Sequence, residues 1–144
     1  MSDEKPMANS VPSVLFVCVS NRGKSVMAQG LAQKIAGAKL SAGSAGTDAK
    51  VDGRVNELSA QALAEVGADV SDHRPRQLTD DLMRAADVTV VVGTAAQVNP
   101  PEGTTLEVWD TDEPSLRGVE GIDRMRVIRD DIATRVTDLI ARLT

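Results

Sequence analysis

The segment Ser13–Val19, SVLFVCV, constrains the fold more than any other part of the chain. It is an unbroken apolar run rich in β-branched residues. A strand without polar alternation has no face to give to water, so it belongs inside a parallel sheet covered on both sides. The residues after it, Asn21–Ser25, are polar and contain Gly23. From Ser25 to Ala38 the apolar residues Val26, Met27, Leu31 and Ile35 then recur near helical spacing. The opening therefore reads as strand, tight loop, helix.

The rest of the chain continues the alternation. Lys39–Ala42 reads as a short, weak strand followed by a turn at Gly43–Thr47. Asn56–Val66 reads as a helix with Gly67 as its C-cap, and His73–Arg76 as a loop. Thr79 suits the N-cap of a helix over Asp80–Ala86. Val88–Val92 is a second core strand, Asn99–Gly103 a loop, Thr105–Trp109 a short strand and Asp110–Gly121 a polar loop. From Ile122 to Leu143, the residues Ile122, Met125, Ile128, Ile132, Val136, Leu139, Ile140 and Leu143 mark a long amphipathic helix. Strands separated by helices imply an open, mostly parallel α/β sheet. Ligands of such sheets bind beyond the carboxyl ends of the strands, where the loop after Val19 lies. The reading gives one domain over residues 13–144, preceded by a polar, mobile tail at Met1–Pro12.

Composition narrows the chemistry. The chain has 144 residues, 42% of them apolar, with one Phe, one Trp and no Tyr. The core must be aliphatic, and the usual platforms for stacking on bases are missing. The net charge is −5 and no Lys/Arg cluster forms a patch, so neither a nucleic acid nor a membrane is an expected partner. No apolar run approaches transmembrane length and the start has no secretory h-region, so a cytoplasmic enzyme is expected. A single cysteine, Cys18, excludes an intramolecular disulfide and a zinc site built on several cysteines. No metal and no bound cofactor are expected. Cys18 is then either core filler or a reactive thiol.

Five residues separate Cys18 from Lys24, and Ser25 follows at the start of the helix. A loop of Val19, Ser20, Asn21, Arg22, Gly23, Lys24 and Ser25 is long enough to curl so that its backbone N–H groups point inward, making a nest for a tetrahedral anion. The helix dipole and Lys24 add positive potential, which also favours a thiolate at Cys18, and Ser25 can donate to that sulfur. The thiolate would be both nucleophile and floor of the cradle. A nucleotide-binding phosphate loop is excluded, because no Gly stands five residues before Gly23 and position 18 is Cys. Spacing alone leaves open an ordinary polar turn beside a buried cysteine.

At Cys18-x5-Lys24-Ser25 the chain resembles the low-molecular-weight protein tyrosine phosphatase superfamily, whose signature is Cys-x5-Arg-Ser/Thr after the first strand. The likeness continues in order through Ser44-Ala45-Gly46-Thr47, Asp72-His73-Arg74-Pro75-Arg76-Gln77-Leu78, Trp109–Pro114 (WDTDEP) and Arg126–Ile132 (RVIRDDI). It implies a three-layer open sheet of about four parallel strands flanked by helices. Within the superfamily, the opening Val14–Ala28, the stretch Trp109–Pro114 and the later Met125-Arg126-x-x-Arg129-Asp130 are most similar to actinobacterial arsenate reductases coupled to mycothiol.

Two departures from the phosphatase pattern bear on substrate: the loop cation is Lys24 in place of Arg, and the acid before Pro114 is Glu113 in place of Asp. Arg grips a phosphoryl group with a bidentate fork, whereas Lys offers a point charge. The resemblance implies that arsenate enters the loop and is attacked by Cys18. Glu113, with Asp112 as competitor, would protonate the departing oxygen. With one cysteine, the second thiol must come from outside, and the resemblance points to mycothiol with a glutaredoxin-like mycoredoxin as reductant. Asn21, Ser25, Ser44 and His73 match the supporting hydrogen-bond network, with His73 a structural hydrogen bonder, while Arg22 is expected to face solvent. The alternatives are a phosphatase, or a non-catalytic anion-binding or redox-sensing module of the same fold.

Overall fold

The computed structural model describes residues 11–144. The tail expected at Met1–Pro12 therefore lies, apart from Val11 and Pro12, outside the described residues. Four strands form one sheet: β1 Ser13–Cys18, β2 Ser41–Gly46, β3 Val88–Val92 and β4 Leu106–Trp109. Their spatial order is β2-β1-β3-β4 and every pairing is parallel. The helices are α1 Lys24–Ala36, α2 Glu57–Ala64, α3 Asp80–Ala85 and α4 Gly121–Leu143. The architecture is thus the expected four-stranded parallel sheet flanked by helices.

The unbroken apolar character of β1 follows from its central place. Val14 and Phe16 point into the larger core, with Val26, Leu31, Leu63, Ile128 and Ile132 from α1, α2 and α4. Leu15 and Val17 point the other way, against Ala45 and Met83, the latter from α3. Both faces are covered, so none of the buried positions Val14–Val17 can be polar without losing solvation. On α4 the buried residues Met125, Ile128, Ile132, Val136 and Leu139 recur at spacings of three and four. The chain's two aromatics, Phe16 and Trp109, meet with ring centroids 5.8 Å apart. This contact ties the end of β4 to the strand that carries Cys18.

The second strand differs from expectation. Lys39–Ala42 was expected as the strand and Gly43–Thr47 as a turn, but the strand starts at Ser41 and runs on through Gly46, leaving Thr47 in the turn, and Gly37–Lys39 is a 3-10 turn ending α1. SAGSAG has little intrinsic β preference. It is held by a ladder in register with the whole of β1, from Ser13 opposite Ser41 to Cys18 opposite Gly46. Sheet context overrides propensity here. The small residues are needed, because a Cβ on Gly46 would lie 2.5 Å from the Val19 carbonyl oxygen and 2.9 Å from the Asn21 nitrogen. Smaller differences affect helix ends: α1 stops at Ala36 rather than Ala38, and Asn56 caps α2 from outside it. Among the described residues no helix is long and apolar enough to cross a membrane.

One buried side-chain polar atom has no hydrogen-bond partner among the described residues, the hydroxyl of Thr89 in β3. An unpaired buried hydroxyl destabilises the folded state relative to an apolar isostere. Thr89→Val is therefore expected to raise stability by about 1 kcal/mol, read as a higher urea midpoint at unchanged slope. A lower midpoint would show that the hydroxyl is satisfied.

Candidate active site

The loop leaving β1 is shaped by where its carbonyls go. Six successive carbonyl oxygens have partners away from the loop's interior. Those of Cys18, Val19 and Ser20 accept from the backbone N–H groups of Thr47, Asp48 and Lys50 at 3.0, 2.8 and 3.1 Å. Asn21 O accepts from His73 Nε2 at 2.9 Å, and Arg22 O and Gly23 O accept from the N–H groups of Asn56 and Met27 at 2.7 and 2.9 Å. No peptide here is cis. In a planar trans peptide the N–H points opposite to the C=O, so turning these carbonyls outward turns the N–H groups of residues 19–24 inward. Among the described residues none of those N–H groups donates to another protein group.

Asn21 makes the curl possible. Its φ is 58°, the left-handed region that Asn tolerates better than most non-glycine residues. It is fully buried, and its side chain is oriented without ambiguity. Oδ1 accepts from the Arg76 N–H at 3.0 Å, so Nδ2 faces Ser25 and donates to Oγ at 2.8 Å. Ser25 Oγ, accepting there, has its single proton left for Cys18 Sγ at 2.9 Å. The result is a one-way chain of donors from Arg76 through Asn21 and Ser25 that ends on the only sulfhydryl of the protein.

The helix behind the loop is also set for an anion. α1 starts after Gly23 with no side-chain cap and no acid in its first turn. By contrast Asn56 caps α2, which has Glu57 in its first turn, and Thr79 caps α3, which has Asp80 and Asp81. The positive end of α1 is left for a ligand to satisfy. Lys24 adds a formal charge. Its Nζ donates to the hydroxyl of buried Thr111 at 3.0 Å and lies 4.0 Å from Glu113 Oε1. A cavity of about 200 Å³ opens beside Gly23 and Lys24, walled by Asn56, Ser59, Arg124 and Met125.

The expected acids are both ionised in this arrangement. Glu113 Oε1 accepts from Arg124 Nη2 at 2.8 Å, and Oε2 accepts from Arg124 Nε at 2.8 Å and from the hydroxyl and N–H of Ser115 at 2.7 and 3.3 Å. Chiefly through Arg124, its pKa is lowered to about 2. Asp112 is held by the fork of Arg117 at 2.7 and 3.0 Å, which pulls its carboxyl below the ordinary range. The expectation that Glu113 protonates a departing oxygen therefore meets a carboxylate already committed to four donors.

The structure brings together Cys18, Asn21, Ser25 and His73. Burial holds His73 below its ordinary pKa, and as a neutral ring it donates Nε2–H to Asn21 O. Ser44 is one step removed: its hydroxyl bonds Gln29 Oε1, and its carbonyl accepts from Arg76 Nε at 2.8 Å. Arg22 folds back so that Nε donates to Arg54 O at 2.6 Å, and it borders the cavity. Arg76, Gln29, Thr111 and Arg124 were not picked out from sequence. Of these, Arg76 and Thr111 lay within motifs of the family resemblance, Asp72–Leu78 and Trp109–Pro114. Among the described residues no group of three or more His, Cys, Asp and Glu side chains could hold a metal ion.

Two expectations follow from this geometry. Ser25→Ala removes the hydroxyl that lies 2.9 Å from Cys18 Sγ. With that donor gone, alkylation of Cys18 by iodoacetamide should slow several-fold, while Ser44→Ala, whose hydroxyl bonds Gln29 instead, leaves it nearly unchanged. Equal effects would break the donor-chain account. Gly46→Ala forces backbone against backbone at the nest, so inorganic phosphate binding, measured by calorimetry, should weaken by about tenfold or more. Unchanged affinity would show that the loop relaxes freely.

Comparison with known proteins gives the same frame. Arsenate reductase 1 of Staphylococcus epidermidis is 29% identical over 134 residues, covering 91% of this chain and 97% of that protein. The glutaredoxin arsenate reductase of Synechocystis is 30% identical over 136 residues, covering 91% and 98%. The structure of the thioredoxin-dependent arsenate reductase Cg_ArsC1' of Corynebacterium glutamicum superimposes with a TM-score of 0.75 at 31% identity over 94% of this chain, which spans 63% of that longer chain. Residues 13–144 match the family described as low molecular weight phosphotyrosine protein phosphatase. The match runs through every strand and helix of the fold, from β1 to α4, and the chain belongs to that family.

Proposed function

We propose that this protein is a cytoplasmic arsenate reductase that works through Cys18 and an external thiol. The observation that carries the reading is the donor chain ending on the protein's only cysteine at an uncapped helix N-terminus. A thiolate in an oxyanion cradle suits attack on a tetrahedral centre, and a lone cysteine has no intramolecular partner to complete a reduction. The names of the relatives supply arsenate as the substrate.

In the proposed cycle the nest of residues 19–25 takes dihydrogen arsenate, with Lys24 contributing charge. The Cys18 thiolate attacks arsenic, the S–As bond forms, and one oxygen leaves as water. Dihydrogen arsenate carries both protons that this water needs, which matches a Glu113 that rests ionised. A low-molecular-weight thiol, mycothiol on the sequence resemblance, then attacks arsenic and leaves as an arseno-thiol conjugate, returning Cys18. Arsenic is still pentavalent at that point. A mycoredoxin thiolate attacks the conjugate's sulfur, a mixed disulfide forms, and the electron pair of the broken S–As bond leaves with trivalent arsenite. The enzyme is on this reading an arsenate–thiol transferase in arsenic detoxification.

The second reading, a phosphatase, is favoured by the family's name. It is weakened by Lys24, which lacks the arginine fork and is drawn toward Thr111 and Glu113. The test is arsenite release from arsenate by purified protein with mycothiol and mycoredoxin, leaving out each in turn. Release should need both and fall by at least about 10³-fold in Cys18→Ser. Release without an added thiol, or aryl phosphate hydrolysis with no arsenite release, would overturn the reading.

A further inference from the structure

We infer that Arg124 is a specificity-determining residue: by clamping Glu113 it withholds a general acid from the site and so excludes phosphate and arsenate esters while leaving the inorganic oxyanion as substrate. The inference rests on the arsenate reading above and deepens it.

The argument starts from what each substrate needs. Attack of a thiolate on dihydrogen arsenate gives an S–As bond and water, and the substrate supplies both protons. Attack on the dianion of a monoester gives an S–P bond and an alkoxide or phenoxide, and the proton for that leaving oxygen must come from the protein. A positioned acid is worth about 10²–10⁴-fold in such a step. The two reactions therefore diverge in their demand on the carboxyl before Pro114.

In this protein that carboxyl is fully used. A carboxylate has about four acceptor sites, and Glu113 has four donors: Arg124 Nε and Nη2, and the hydroxyl and N–H of Ser115. The other charged groups around the pair are known. From α1, Lys24 Nζ approaches Glu113 to 4.0 Å. Asp112 beside it is occupied by Arg117. Glu120 adds its charge to the Arg124 side. Two cations face Glu113, and both favour the ionised form. Protonation would require Arg124 to let go.

Arg124 is not remote from the chemistry. It sits in the first turn of α4, about a quarter exposed, and forms part of the wall of the cavity shared with Gly23 and Lys24. The ion pair spans the loop 110–117 and α4, and the same loop is independently fastened by the Asp112 N–H to Asp131 at 2.8 Å and by Arg135 to Asp110 O at 2.8 Å. Those fastenings can hold the loop when Arg124 is replaced, so the guanidinium's effect on Glu113 is separable from a merely structural role.

The experiment follows p-nitrophenyl phosphate hydrolysis across about pH 4–8 in wild type, Arg124→Lys, Arg124→Leu, Arg124→Gln and the double variant Arg124→Leu/Glu113→Gln, with Cys18→Ser as blank. Arg124→Leu and Arg124→Gln should gain about 10–10²-fold in kcat near pH 5. The gain should fade as pH rises through the released carboxyl's range, Arg124→Lys should stay near wild type, and the double variant should return to it. No gain in either uncharged variant, or a gain that survives Glu113→Gln, overturns the inference. Carbon NMR of the Glu113 carboxyl in wild type tests it without any variant: titration at the ordinary glutamate value would sink it. Arsenite release is measured in parallel. Its absence from wild type would remove the arsenate reading while leaving the effect of Arg124 on ester hydrolysis standing or falling on its own.

Discussion

Everything at this site depends on one buried residue held in an uncommon conformation. Asn21 sits in the left-handed region, which is unfavourable for a residue with a Cβ by about 1 kcal/mol or more. Three of its polar groups are engaged to hold it there. Its Oδ1 takes the Arg76 N–H, its Nδ2 reaches Ser25, and its carbonyl takes the His73 ring. Each bond also has a second effect. The first fixes which way the amide faces, the second fixes the direction of the Ser25 proton, and the third keeps a carbonyl out of the nest. A glycine could adopt the backbone angle but would supply none of the side-chain bonds, so the sulfur would lose its directed donor.

The same economy governs the electrostatics. A protein of net charge −5 repels anions at long range, yet its site is built to take one. The attraction is local, from inward N–H groups, an uncapped helix and Lys24, all effective within a few ångströms. Two carboxylates, one away from the site and one beside it, show how context changes the meaning of an ion pair. Glu65 is bound by Arg126 and Arg129 across α2 and α4 and is lowered to about 2, as Glu113 is by Arg124. Glu65 is on the surface, where such pairs contribute little to stability. Glu113 lies 4.0 Å from the loop cation Lys24, where on the proposed reading the same pairing decides whether a proton is available.

How much of this was legible in the sequence depended on the range of the interactions. The strand–loop–helix opening and α4 were readable, because an unbroken apolar run and a three-four stripe are local signals that tertiary contacts reinforce. The strand at SAGSAG was not, since its small residues carry no β signal and are selected by the approach of Val19 and Asn21 to Gly46. Cys18, Asn21, Ser25 and His73 could be named from their order in the chain. Their directionality could not, because it comes from Arg76, which is 55 residues from Asn21. Glu113 was visible as an acid before Pro114. Its charge state was hidden, because Arg124 is an ordinary residue in an Arg-rich helix until the fold sets it against that carboxyl. Thr111 was likewise unremarked among the acids of its loop, although it receives Lys24 from 87 residues away.

These hidden residues share a consequence. A phosphoryl-transfer site needs a fork that follows a flattening transition state and an acid that waits protonated. Here the cation in the loop is a lysine drawn sideways to Thr111, and the carboxyl is saturated by an arginine. Each change removes a requirement of ester cleavage and leaves intact what the proposed capture of a small protonated oxyanion uses, namely the nest, the helix end and the sulfur of Cys18. The aliphatic composition acts in the same direction, because Phe16 and Trp109 are spent on one another in the core and no ring is left to grip an aryl group. On the proposed reading, the family's scaffold is narrowed toward the inorganic ion by subtraction at the periphery of the loop, while the loop itself keeps the donor chain that meets Cys18.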